Sequence, residues 1–302
     1  MKALLGIAPI AWTNDDLPEL GGDTSLETCL SEARAAGFSG IETGGKFPRD
    51  PAVLGPILEA HQMRLCGGWY SGTLLDNDIE AEKDRIAEQM HLFKAMHAPC
   101  IVYGETAGTI QGERSTSLDR RRRLDEAQIR DYGHKLTAFA AWCSEQGMPI
   151  AFHHHMATAI ETEDDLDLLM THSGPELPLL YDPGHIAFAG GDVLRVIDKY
   201  GGRISHFHAK DVRAAVINAL DRSRESFLDA VLKGAFTVPG DGALDFAAIV
   251  QRLADHGYQG WFVVEAEQDP VKAPPAQYAR IGHAELVRVL GAAGYEIVEE
   301  CL

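Results

Sequence analysis

Short apolar runs rich in β-branched and aromatic side chains recur along the chain, each followed by a stretch whose apolar positions return every three or four residues. The first pattern suits strands buried on both faces and the second suits helices with one apolar stripe, so their alternation predicts parallel βα units. Eight strands are expected, beginning near Ala3, Phe38, Met63, Pro99, Met148, Leu177, Arg203 and Gly260. Between them Leu26, Cys29, Leu30 and Ala33, and again Phe246, Ile249, Val250 and Leu253, share one helical face. Thr24 with Glu27 predicts a capping box, and Thr162 or Glu163 with Asp164 and Asp165 predicts an acidic first helical turn. Gly37, Gly147 and Gly257 predict left-handed helix stops.

Eight strands alternating with helices over 302 residues predict an α/β fold, a (β/α)8 TIM barrel, as a single domain over residues 1–302. A doubly wound sheet fits less well, because no G-x-G-x-x-G follows the first strand. Thr106 to Arg123 and Val212 to Glu225 read as loop insertions over the barrel mouth. The run from Ala3 to Ala11 is short, is broken by Pro9 and follows a single Lys2, which favours a first buried strand over a signal peptide. Nowhere else does the chain approach the ~18 consecutive apolar residues that a membrane span needs.

Composition narrows the partners. With 45% hydrophobic and 24% charged residues the chain is globular rather than disordered. Its 27 basic and 45 acidic side chains leave a net charge of −18, which argues against nucleic acid and anionic membranes as partners. The basic run Arg120 to Arg123 then reads as a solvated helix start or a subunit contact, and a homo-oligomer is compatible with it. Cys29, Cys66, Cys100, Cys143 and Cys301 are widely spaced and include no C-x-x-C pair, so reduced thiols and a cytoplasmic location are expected.

Working residues of such a barrel stand at the carboxyl ends of its strands, and here those ends are polar. They carry Asn14-Asp15, Glu42, Trp69, Glu105, His153-His154-His155, Asp182-Pro183-Gly184-His185, His206 to Asp211, and Glu265-Ala266-Glu267. Alternation along a strand puts His153 and His155 on one face with His154 opposite, and puts His206, His208 and Lys210 together. Two imidazoles with Asp182 and Glu265 from neighbouring strands make a mixed nitrogen and oxygen set suited to Mn²⁺, Co²⁺, Fe²⁺ or Zn²⁺. His206 is expected one layer below as a packed or supporting histidine, and Asp211 as a helix cap. Glu42 and Glu105 are suited to pairing with basic residues, and Trp69 equally to core or pocket.

Longer strings carry a resemblance: G-I-A-P-I-A-W-T-N-D-D from Gly6, G-G-K-F-P from Gly44, G-W-Y-S from Gly68, H-H-H-M from His153, D-P-G-H from Asp182, H-A-K-D-V-R from His208, F-T-V-P-G-D-G from Phe236 and V-V-E-A-E-Q-D-P from Val263. Together, through nearly the whole chain, they resemble the myo-inosose-2 dehydratases of inositol catabolism, within the xylose-isomerase-like barrel superfamily. The resemblance implies a divalent metal held by His153, Asp182, His208 and Glu265, with Mn²⁺ or Co²⁺ as the ion and glutathione as an added cofactor. No residue pattern derives the glutathione. His153 stands where the epimerases of the superfamily show Glu, which removes one of their paired bases and makes a ketose 3-epimerase or isomerase the runner-up. A sugar-binding regulatory barrel is the non-enzyme alternative.

The implied reaction removes water from a cyclic polyol ketone, scyllo-inosose, to give a trihydroxycyclohexanedione. It needs a base for the α-proton and an acid for the departing hydroxyl. Glu265 or a nearby carboxylate is the candidate base, and His155, His185 and Lys210 are candidate acids, with His185 also placed to touch substrate. Asn14, Asp15, Lys46 and Arg213 are the expected partners of ring hydroxyls, and Trp12 the expected apolar wall.

Overall fold

The computed structural model describes residues 1–299, so Cys301 lies outside the described residues. In chain order the elements are β1 (Lys2–Ile7), α1 (Leu26–Ala36), β2 (Gly40–Thr43), α2 (Pro51–Ala60), β3 (Arg64–Gly72), α3 (Ile79–Ala95), β4 (Ile101–Glu105), α4 (Glu126–Glu145), β5 (Ile150–His153), α5 (Glu163–His172), β6 (Leu179–Tyr181), α6 (Pro183–Ala189), α7 (Val193–Tyr200) and β7 (Ile204–Ala209). They continue with β8 (Asp211–Val212), α8 (Ala214–Ala219), α9 (Phe227–Leu232), β9 (Phe236–Thr237), α10 (Phe246–Asp255), β10 (Gly260–Val264), α11 (Pro275–Ala292) and β11 (Glu296–Ile297). Strands β1 to β7 and β10 pair in parallel, each with its neighbour, and β10 returns to β1 with Ala3 opposite Gly260 and Ile7 opposite Val264. The sheet therefore closes into the expected eight-stranded barrel.

Strands enclosed by helices outside and by each other inside are largely apolar up to their carboxyl ends, and β4 to β6 are buried at every residue. Helix α1 buries Cys29, Leu30 and Ala33, and α10 buries Phe246, Ile249, Val250 and Leu253, the two stripes read from the sequence. Gly37, Gly147 and Gly257 lie at φ of 110°, 76° and 73°, the left-handed conformation in which glycine suffers no Cβ clash. Thr162 and Asp165 form a capping box on α5. The cap of α1 differs from expectation: Ser25, not Thr24, accepts the Thr28 N–H. Thr24 is already committed to a turn, its N–H donating to Gly21 and its carbonyl accepting from Lys46.

The two insertions join over the mouth, where Leu118 and Asp119 donate backbone hydrogen bonds to Glu225 and Arg222. Ile110, Leu118, Met156, Phe188, Phe227 and Phe236 fill a second small core beneath them. Strands β8 and β9 form an antiparallel pair, Asp211 opposite Thr237, that anchors this cover to the barrel. No helix among the described residues is long and apolar enough to cross a membrane.

Arg121 departs from the solvated reading of the basic run. It is buried, with Nε 3.3 Å from Glu161 and Nη2 2.8 Å from Asp165, and it also donates to the Ala159 carbonyl. Two carboxylates and a carbonyl replace its water, while Arg122 pairs with Asp76 and Arg120 stays on the surface. Arg121→Ala should cost about 3–5 kcal/mol of unfolding free energy in urea titrations at neutral pH, because it strands two carboxylates. The deficit should narrow in acid as Glu161, whose carboxyl burial already raises, takes up a proton.

Candidate active site

Barrel geometry puts the expected polar residues on one inner surface. The end of β5 turns His153 and His155 inward, and His154 faces Tyr181 on the other side, where its Nε2 accepts the Asp182 N–H. His206 and His208 on β7, and Lys210 just beyond its end, stack in successive layers. Asp182 ends β6 and caps α6: its Oδ1 accepts the His185 N–H at 3.2 Å, and Pro183 supplies the preset first helical turn.

The other oxygen of Asp182 defines the centre. Oδ2 is buried without a hydrogen-bond partner, and so is His208 Nδ1, 3.7 Å away. His153 Nε2 lies 3.8 Å from Asp182 Oδ2, and His185 Nε2 lies 3.9 Å from it. His153, Asp182 and His208 thus offer three donor atoms within 4.8 Å of one another, and Asp182, His185 and Glu265 offer a second such group. Unpaired buried polar atoms are rare in proteins, and two that converge beside His153 Nε2 fit a divalent metal.

Electrostatics separates the groups. Burial first, then the neighbouring His208 and His155, hold the His153 imidazole well below its ordinary range and so neutral, the form that ligates metal. Burial works against charge at His208, but Glu42 and Asp182 outweigh it and raise its pKa to about 10, so in the metal-free site Nδ1 carries a proton that an ion binding there would displace. Lys210 is wholly buried, yet Glu265 at 2.5 Å, Glu267 at 3.0 Å and Asp182 at 3.6 Å keep it an ammonium. Its Nζ also lies 2.7 Å from His185 Nε2. A glycine makes this possible, because a Cβ at Gly184 would stand 2.6 Å from Lys210 Cγ. Burial and the Glu267 charge raise the Glu265 carboxyl to about 7 against the pull of Lys210.

Above this centre opens a cavity of about 100 Å³, open at its mouth. His153, His155, His208, Glu265 and Glu267 form its floor, Trp69 a flat side, and Asp15, Asp16 and Gln111 the opposite rim. Trp69 sets its ring edge-on to His153 and His155, at 5.7 and 5.5 Å between centroids, which places it in the pocket rather than the core. His155 is fixed by its Nδ1 on the Met156 carbonyl, leaving Nε2 3.5 Å from Glu267.

Of the residues expected to bind substrate, Asp15 alone lines the cavity. Trp12 lies in the core with its indole N–H on Glu32 of α1. Asn14 accepts the N–H groups of Asp16 and Leu17 and shapes the loop that presents its neighbours. Lys46 donates to the Gly22 carbonyl and Arg213 to Asp241 and the Gly234 and Phe236 carbonyls, so both cations staple loops. His185 and Lys210 sit beneath the floor rather than on it. Asp211 caps a turn, not a helix, by accepting from Val212 and Leu244. Glu42 pairs with His206 and His208, whereas among the described residues Glu105 meets no base and accepts from Leu75, Ala107 and Tyr103.

Asp16, Gln111 and Glu267 were not singled out from the sequence. Gln111 donates to Asp16 at 3.2 Å, and burial raises that carboxyl. Glu267 follows Glu265 by two residues, the spacing that puts strand residues on one face, so that signal was present.

A closed parallel barrel with histidines and carboxylates gathered at one end defines a class. The chain belongs to the xylose isomerase-like TIM barrel family, whose model matches residues 30–288. Within it the chain falls with the inosose dehydratases: it is 43% identical over 280 residues to that of Geobacillus thermodenitrificans, covering 92% of this chain and 94% of the relative. It is 46% identical to the rhizopine catabolism protein MocC of Rhizobium meliloti, over 98% of this chain and 91% of that one. Among solved structures it resembles the IOLI protein with a binding zinc atom, with a TM-score of 0.68 at 17% identity over 97% and 99% of the two chains, a likeness of fold.

Proposed function

We propose that this chain is a metal-dependent hydro-lyase that dehydrates scyllo-inosose to a trihydroxycyclohexanedione in inositol catabolism, working in the cytoplasm. The observation that carries the substrate is the identity, over nearly the full length of both chains, to inosose dehydratases. The unpaired donors of Asp182 and His208 beside a neutral His153 support the metal. His153, Asp182, His208 and Glu265 would hold the ion, Mn²⁺ or Co²⁺ by family resemblance, and when bound it supplies a Lewis acid for the ketone oxygen.

The rest falls to the chain's own groups. Asp15, Asp16 and Gln111 accept from and donate to ring hydroxyls while the Trp69 face covers the ring, the pairing of polar and apolar contacts that sugar-like ligands need. Glu265 takes the α-proton. His155, aimed by the Met156 carbonyl, returns a proton to the departing hydroxyl so that water leaves, and the enol formed relaxes to the dione. Lys210 supports both from beneath, its charge holding Glu265 and Glu267 in place. Glutathione enters by resemblance and is tested as an additive.

Purified protein with Mn²⁺ or Co²⁺ should raise the ultraviolet absorbance of the dione from scyllo-inosose, with and without glutathione compared. In D₂O the same preparation should leave tagatose and fructose unepimerised, because His153 stands where an epimerase needs a second carboxylate. A C3 epimer of tagatose with no dione from inosose would make the chain an epimerase.

A further inference from the structure

Glu42 on β2 is buried at the wall of the cavity, and neither the expected ligand set nor the proton transfers use it. Its Oε1 stands 3.1 Å from His208 Nε2 and 3.1 Å from His206 Nε2, so one carboxylate oxygen ties two histidines of β7 across the barrel interior. The backbone is adapted to hold it there. The register between β2 and β3 slips between Ile41 and Glu42, and the residue facing the carboxylate is Gly67, where a Cβ would come within 2.8 Å of Oε1. Any other residue at Gly67 would push the carboxylate off the histidines.

The consequence concerns the other nitrogen of His208. An imidazole that donates Nε2–H to a carboxylate keeps its lone pair on Nδ1, and the carboxylate makes that lone pair more basic. His208 Nδ1 is the buried atom left without a partner beside Asp182 Oδ2. We propose that Glu42 is a positioning residue that selects the tautomer and ring orientation of His208, so that Nδ1 rather than Nε2 binds the metal, with His206 bracing Glu42 from the layer below. This rests on the reading that His208 is a ligand.

The test is a titration of metal-free protein with Co²⁺ alone, reading affinity and the visible ligand-field spectrum. Glu42→Leu should weaken Co²⁺ binding about 10- to 100-fold, the range for removing such a partner, and alter the spectrum. Glu42→Gln, which keeps an oxygen acceptor for Nε2–H and nearly the same volume, should restore most of the wild-type spectrum with a smaller loss of affinity. Affinities within twofold of wild type for both variants would overturn the proposal, leaving Glu42 a packing residue. Should Glu42→Leu fail to fold, an unchanged affinity in Glu42→Gln together with an unchanged affinity in His206→Gln would overturn it equally. His208→Ala runs alongside: if it binds Co²⁺ normally, the ligand reading itself falls, whereas loss in His208→Ala with none in the Glu42 variants removes Glu42 alone.

Discussion

Asp182→Asn and His208→Ala should each emerge from dialysis without stoichiometric metal and with kcat/KM lowered about a thousandfold, roughly 4 kcal/mol of lost transition-state stabilisation. The two variants probe different things. Asparagine preserves the cap of α6, because its side-chain oxygen still accepts the His185 N–H, so a loss there is a loss of the charge at Oδ2 rather than of the helix start. Alanine at 208 removes the Nδ1 donor and leaves Glu42 with His206. Elemental analysis, with circular dichroism to check folding, decides the matter. Full metal occupancy in both variants would show that the ion sits elsewhere.

Lys210→Met should lower kcat by about a hundredfold or more, the range associated with disabling proton transfer, while KM for inosose changes little. Methionine matches the aliphatic stem that lies in the space left by Gly184 and keeps contact with the Phe236 ring, 4.6 Å from Nζ. What it removes is the cation between Asp182, Glu265 and Glu267. Three carboxylates then face one another in a dry interior, so unfolding free energy should also fall by about 3–5 kcal/mol in metal-free protein. The effect on kcat follows from the same displacement, since Glu265 loses the charge that keeps it ionised as a base requires. A kcat within about threefold of wild type, less than 1 kcal/mol in barrier, would take Lys210 out of the reaction.

Most of the barrel was legible because buried parallel strands are written as continuous apolar runs and their helices as stripes. Every expected strand starts within two residues of the observed one, from Phe38 against Gly40 to Gly260 against Gly260. The floor of the site was legible for a related reason: alternation along β5 and β7 fixes which side His153, His155, His208 and Lys210 face. The rim was not. Loops have no period, and the residue types that hold a sugar hydroxyl also hold a backbone carbonyl. Lys46 and Arg213 are cations near the mouth whose charge is spent on carbonyls and Asp241, and Asn14 serves its own loop. Gln111 reaches Asp16 across 95 positions of sequence, a pairing that no local pattern announces. Trp12 follows β1 and Trp69 lies towards the end of β3, and only the fold separates the one bonded to α1 from the one beside the histidines.

The hydrogen bond from His208 to Glu42 spans 166 residues and links the seventh strand to the second. A nascent chain that has made β2 cannot complete this contact until β7 has been synthesised and the wall between them has curled round. Chains terminated before β7 therefore hold Glu42 without His208, and chains terminated before β10 also lack Glu265. An ion held by the proposed ligand set would be retained by finished molecules, and the stability it adds by mass action would go to those molecules alone.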